Sequence, residues 1–164
     1  MRRPPGFLAD AMLGALARWM RVLDLDVAYD PALDVPELVE VVEEEGRVLL
    51  TRDRKLVERR ALDGRHLLIA SEVVDEQVRQ VLDHVSAEHG WGPSPERLFR
   101  RCLRCNEGLE RIPPAEARRH VPPFVARTQE RFRRCPGCRR IYWASSHVQR
   151  MRERLAGMGV EASP

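Results

Sequence analysis

Long apolar runs are missing from this sequence, and nothing in it approaches the roughly 20 consecutive apolar residues of a membrane-spanning helix. The amino end, Met1-Arg2-Arg3-Pro4-Pro5, is basic, but Phe7-Leu8-Ala9 runs straight into Asp10. That pattern speaks against a secretory leader and for a cytoplasmic protein with no membrane partner. There is no Gly-x-Ser-x-Gly elbow and no Gly-x-x-x-x-Gly-Lys loop, so serine-hydrolase chemistry and P-loop nucleotide binding are not expected. Lysine is nearly absent as well: Lys55 is the only one among 28 basic residues. This bias toward arginine weakens any argument from charge without removing it.

What is present suits one core of ordinary size with a small appendage: 164 residues, 43% of them hydrophobic and 32% charged. The net charge of +3 conceals an asymmetry. Residues 1–95 carry 12 Lys/Arg against 18 Asp/Glu, whereas residues 96–164 carry 16 Arg against 7 Glu. An acidic half beside a basic one suggests that the first holds metal and the second a polyanion. A solvated surface in an arginine-biased protein would have the same composition.

Residues 6–90 read as alternating strands and helices. Gly6–Ala9 is a short apolar strand ending at Asp10, and from Met12 the apolar positions Leu13, Leu16, Ala17, Met20 and Leu23 recur at helical spacing, with Arg18 and Arg21 on the other side. Val27–Tyr29 is a second strand, closed by Asp30-Pro31. Asp34 is a natural N-cap for a helix with Pro36 early and Glu37 three residues after the cap, and Gly46 stops that helix. Val48–Thr51 is apolar enough for a strand buried on both faces. His66–Ala70 is a fourth strand, and a last helix carries Val74, Val78, Val81, Leu82 and Val85. The order predicts an α/β fold: a mostly parallel sheet with flanking helices and functional residues beyond the carboxyl ends of its strands. Gly90-Trp91-Gly92-Pro93-Ser94-Pro95 cannot continue a helix, so it divides a domain at 1–90 from a module at 96–155.

All four cysteines lie in that module, as Cys102-x-x-Cys105 and Cys135-x-x-Cys138 with 29 residues between the pairs. Two such knuckles complete a tetrahedral sulfur site for one structural zinc ion, and Pro136-Gly137 supplies turn formers. Disulfides compete, though a cytosolic setting disfavours them. A redox pair would need only one Cys-x-x-Cys. His120 and His147 are expected at the surface or behind the ligands. Phe132, Tyr142 and Trp143 read as the module's small core, although an aromatic among arginines also suits stacking on an unpaired base.

Asp10, Asp30 and Asp53 end or follow three successive strands. Carboxylates on parallel strands about 4.8 Å apart can converge on Mg²⁺ or Mn²⁺, which lowers the pKa of a bound water and neutralises charge on a phosphate. Asp34 and Glu37, opening the second helix, are further candidates. Each of these acids equally suits helix capping. Arg18, Arg52 and Arg54 lie near them in sequence and could hold phosphates, or simply face solvent.

Phe7-Leu8-Ala9-Asp10-Ala11-Met12-Leu13-Gly14, with Leu16-Ala17-Arg18-Trp19-Met20-Arg21, resembles the opening of the Mut7-C family of PIN-like RNase domains. Leu50-Thr51-Arg52-Asp53-Arg54, Arg101-Cys102-x-x-Cys105-Asn106 and Ile141-Tyr142-Trp143-x-x-Ser146-His147 resemble its later motifs, in family order. The resemblance implies a PIN-like nuclease fold followed by a four-cysteine zinc ribbon, and metal-dependent cleavage of RNA. Asp10 and Asp53 would be the catalytic metal ligands, with Glu37 or Asp34 as the helix acid and Asp30 close by. The acid such sites carry after the fourth strand would be Glu72 or Asp75. Ser145 departs from the family's usual glycine. The rival expectations are a non-catalytic RNA-binding module and a zinc-ribbon adaptor for protein partners.

Overall fold

The computed structural model describes residues 3–161. Met1 and Arg2, counted with the first half above, lie outside the described residues. Strands β1 (Phe7–Ala9), β2 (Val27–Tyr29), β3 (Val48–Thr51) and β4 (His66–Leu68) form one sheet in the order β2-β1-β3-β4. Every pairing in it is parallel, and Phe7 stands opposite both Val27 and Val48. The chain leaves β1 toward one edge and then crosses back past it to β3, so the winding direction reverses between β1 and β3. Open parallel sheets bind ligands beyond the strand ends at such a reversal.

The pleat sorts side chains into two layers. Phe7, Ala9, Val27 and Leu50 face a core built with helices α1 (Gly14–Val22) and α4 (Val74–His89). Leu8 and Leu49, on the other face, pack with Leu38 and Val42 of α2 (Val35–Glu45) and with Leu56 of α3 (Arg54–Val57). The sheet is therefore covered on both sides, which is why its strands are apolar without alternation. Helix α2 begins with the capping box anticipated from its sequence, Asp34 accepting from Glu37 N–H while Glu37 accepts from Asp34 N–H. It ends at Gly46 in the left-handed conformation, φ 63°.

The chain does not enter α1 directly from Met12. Asp10 caps a 3₁₀ turn, Ala11–Leu13, by accepting from Met12 N–H, and α1 starts at Gly14. A Cβ on Gly14 would stand 2.6 Å from the Tyr29 hydroxyl oxygen, which donates to the Ala11 carbonyl at 3.0 Å. In an open helix Gly→Ala stabilises by up to about 1 kcal/mol. Here the overlap reverses the sign, because moving Tyr29 breaks its hydrogen bond. Gly14→Ala is expected to cost a net ~1 kcal/mol, on the scale of overpacked cores, and urea unfolding measures it.

The second half carries an antiparallel sheet, β5 (Glu110–Ile112), β6 (Phe132–Arg134) and β7 (Ile141–Tyr142), in that order. Short helices α5 (Pro114–Ala117) and α6 (Pro123–Thr128) lie between β5 and β6. Its core is small: Ile112, Ala117 and Phe132, with Val121, Val125, Ile141 and Trp143 packed against them. The chain then returns to the first core. Met151 and Leu155 of α7 (Ser146–Gly157), followed by Met158 and Val160, join Leu16, Met20 and Val81, as do Trp91 and Leu98 of the connecting segment. Burial of each such side chain contributes roughly 1.5–3 kcal/mol. Arg154 of α7 also pairs with Asp75 of α4 at 2.6 Å and lies over the Trp19 ring of α1.

Candidate functional site

The reversal between β1 and β3 places two acids at neighbouring strand ends. Asp10 follows β1 and is buried, 8% exposed. Its Oδ1 accepts from Met12 N–H at 3.1 Å, and its Oδ2 accepts from the hydroxyl of Thr51, the last residue of β3. The same Thr51 oxygen accepts from Asp53 N–H at 3.0 Å. One threonine hydroxyl thus links the Asp10 carboxylate to the Asp53 backbone across adjacent strands that the sheet keeps in register. Asp53 Oδ1 caps α3, taking the N–H groups of Lys55 at 2.9 Å and Leu56 at 3.2 Å. Its Oδ2 accepts no hydrogen bond among the described residues.

The other candidate acids are engaged elsewhere. Asp30 Oδ1 accepts from Ala32 N–H at 2.9 Å in a turn. Asp34 and Glu37 close the capping box on each other. Glu72 is exposed and pairs with Arg52 at 3.1 Å, and Asp75 is tied to Arg154. Among the described residues the one group of three or more metal-donor side chains is the cysteines, so these carboxylates do not gather with Asp10 and Asp53 into a larger cluster. Two carboxylates still suit Mg²⁺, which keeps several waters and completes its shell from substrate phosphates. Arg18 and Arg54 are exposed. Arg18 Nη2 donates to His147 Nε2 at 3.1 Å, which joins α1 to the start of α7. The Arg52 Nε is buried with no hydrogen-bond partner among the described residues.

Thr51, which holds the Asp10 carboxylate, is a residue that the sequence did not single out. Thr51→Val preserves shape but leaves Asp10 Oδ2 and Asp53 N–H short of a partner. A buried polar group left unsatisfied costs ~1–3 kcal/mol, so a loss in that range is expected on chemical denaturation.

The cysteines form the second centre. Their four sulfurs all lie within 4.8 Å of one another, and Cys102 Sγ and Cys138 Sγ are 3.7 Å apart. A tetrahedron with Zn–S arms of about 2.3 Å has edges of ~3.8 Å, so the four residues are positioned to bind a zinc-like metal. The two knuckles repeat one geometry. Cys102 N–H donates to Glu107 O at 2.7 Å and Cys135 N–H to Arg140 O at 2.9 Å, while Asn106 N–H and Arg139 N–H return to the first cysteine's carbonyl, each at 3.0 Å. In both, the residue after the second cysteine is left-handed: Asn106 at φ 68° and Arg139 at φ 64°.

Tyr142 does not join the module's apolar core. Its hydroxyl oxygen accepts from Leu103 N–H at 3.2 Å and lies 3.1 Å from Cys102 Sγ. Burial pushes the Cys102 thiol up, but the Tyr142 hydroxyl and the backbone N–H groups of Cys105 and Arg104 outweigh it and bring the thiol down to about 7. The hydrogen bond with Cys138, then burial, push Cys105 up to about 12. Without metal, Cys102 therefore gives up its proton far more readily than Cys105.

Arg21, assigned above to the outer side of its helix, is buried at 5% exposure. Its guanidinium donates to Val27 O at 3.0 Å, Leu103 O at 2.8 Å and Arg104 O at 3.1 Å, binding α1 and β2 to the first knuckle. Asn106 adds to this junction: its Oδ1 accepts from Val27 N–H at 3.0 Å and its Nδ2 donates to Asp26 at 2.7 Å. Docking of the module, which α1's own sequence does not report, turns that face of α1 inward.

No helix among the described residues is long and apolar enough to cross a membrane. No curated protein and no solved structure matches the chain significantly. The model of the Mut7-C RNAse domain matches residues 5–155, which take in both the Thr51-linked acids and the four cysteines, and the chain belongs to that family.

Proposed function

We propose that this protein is a PIN-like, metal-dependent ribonuclease that hydrolyses RNA phosphodiester bonds at Asp10 and Asp53, with a zinc ribbon at Cys102, Cys105, Cys135 and Cys138. The observation that carries the catalytic reading is the placing of Asp10 and Asp53 at neighbouring strand ends of the β1/β3 reversal, where the Thr51 hydroxyl ties the Asp10 carboxylate to the Asp53 backbone N–H. Membership of an RNase-domain family supports RNA as the substrate.

Asp10 and Asp53 would hold Mg²⁺ or Mn²⁺, which supplies a water of lowered pKa and neutralises charge developing on the phosphate. Thr51 fixes the Asp10 carboxylate from one side and Met12 N–H from the other, so the ligand's orientation is set before substrate arrives. Arg52, between Thr51 and Asp53, offers a guanidinium fork to phosphate oxygens, and Arg18 and Arg54 add further positive charge. Asp30, Asp34 and Glu37 secure the turn and helix start after β2. With no open ligand position at a four-sulfur site, the zinc is structural.

The test incubates purified protein with structured and unstructured RNA, with and without Mn²⁺, beside Asp10→Asn. Divalent-dependent cleavage that the variant lacks is expected. Equal cleavage by the variant would assign the activity to a contaminant. RNA binding without any cleavage would identify a non-catalytic binding module.

A further inference from the structure

The small sheet has a second face, and its residues have no place in the chemistry above. Side chains alternate along β7, so Tyr142 turns toward Cys102 while Ile141 and Trp143 turn the other way, onto the Ile112–Phe132 core. A cavity of about 390 Å³ opens there, lined by His120, Arg134, Arg139, Arg140, Ile141 and Trp143. That volume lies in the range of small-molecule sites. Four of the six lining residues are basic types, none is acidic, and one is a half-buried indole. Arg134 is anchored by Glu116. Arg139, Arg140 and His120 are exposed and make no ion pair among the described residues.

The backbone points the same way. Both knuckles require a left-handed residue after their second cysteine. The first uses Asn106, a residue type that tolerates this conformation, whereas the second places an arginine there. That arginine's side chain lies on the wall of the cavity.

We propose that this cavity is a binding site for one unpaired nucleotide of single-stranded RNA, its base stacked on Trp143 and its flanking phosphates held by Arg139 and Arg140. Stacking on an aromatic ring suits any base, and the guanidinium fork suits phosphate. The site would hold an unpaired stretch of substrate on the zinc module, and so bias cleavage toward RNA with single-stranded segments. It rests on the ribonuclease reading only in naming RNA as the substrate.

The experiment measures binding of a short, end-labelled oligouridylate by fluorescence anisotropy across salt concentrations, with no divalent cation added. Trp143→Leu is expected to weaken binding about tenfold or more. Combining Arg139→Asn with Arg140→Gln should lower the slope of log affinity against log salt by ~1.4, at about 0.7 per phosphate contact on single strands. Because Asn already serves the equivalent turn at position 106, the Arg139→Asn change should leave thermal unfolding unchanged or raise its midpoint, so a binding loss cannot be laid to misfolding. Wild-type binding by the arginine variants, or tighter binding of an RNA duplex than of the single strand, overturns the proposal. If wild-type protein binds and the pocket variants do not, yet nothing is cleaved with Mn²⁺, the pocket stands and the ribonuclease reading falls.

Discussion

Asp10→Asn is expected to lower divalent-dependent RNA cleavage by about three orders of magnitude while leaving the protein folded. Metal-assisted stabilisation of a developing phosphate charge is worth several kcal/mol, and each ~1.4 kcal/mol is a factor of ten in rate. An amide at position 10 retains one oxygen to accept the Thr51 hydroxyl or Met12 N–H but lacks the charge that would hold a cation. The comparison with Asp34→Asn separates catalysis from folding. Asp34 belongs to the capping box of α2, and Asn is itself a good N-cap, so that variant should keep both activity and stability. Asp34→Ala should cost ~1 kcal/mol of stability with the cleavage rate per folded molecule unchanged. Asp53→Asn should follow Asp10→Asn in activity and, because Asn caps as well as Asp, keep α3, whose first turn Asp53 caps. Rates are read with and without Mn²⁺ on protein whose fold is verified by circular dichroism. Comparable losses for Asp34→Asn and Asp10→Asn would move the catalytic centre away from Thr51.

The parts of this design legible in the sequence are those that local chemistry determines. The α2 capping box follows from Asp34 and Glu37 three residues apart, the buried strand β3 from four successive residues with little polarity, and the cysteine cluster from two knuckles whose spacing is set within each turn. Features created by long-range approach were not. Thr51 joins Asp10 across 41 positions of sequence only because β1 and β3 are neighbours. Arg21 falls outside the apolar stripe of α1 when that helix is read alone. It is buried because carbonyls 82 and 83 residues later come to meet it. Tyr142 looks like any other aromatic of a small core until the first knuckle folds back against its hydroxyl. The return of α7 to the first core is likewise absent from any local pattern, since Met151 and Leu155 suit equally a helix packed on the module itself. The candidate acids show the same division. Three aspartates at strand ends look equivalent in sequence, yet Asp30 turns into its own loop while the Asp10 carboxylate and the Asp53 backbone share the Thr51 hydroxyl.

Stripping the metal from the cysteine centre should unfold β5 to β7 while β1 and β3 stay protected. The apolar cluster of that module has only Ile112, Ala117 and Phe132 fully inside, too little to stabilise three short strands unaided. Structural zinc in comparable small folds contributes apparent binding free energies of ~10–16 kcal/mol near neutral pH, as large as the whole stability of a typical domain. The first core is independent of the metal: its sheet, α1, α4 and the returning α7 share one continuous packing. Cys135→Ser should reproduce the effect of a chelator, because Cys135 is fully buried and its N–H and carbonyl close the second knuckle. The pH dependence has a definite sign. In the metal-free protein Cys105 is pushed up to about 12, so capturing the ion near pH 7.5 must expel its proton, and affinity falls as the medium is acidified. Cys102, drawn down to about 7, adds to the same trend. Its thiolate favours the metal-free fold at higher pH, and that contribution fades as pH drops through 7. Hydrogen exchange resolved by residue, with released metal counted by a colorimetric chelator, reads both effects. Rapid exchange confined to β5–β7 after metal loss is the expected outcome. Unchanged protection there would mean that the junction at Arg21 and Asn106 holds the module without metal.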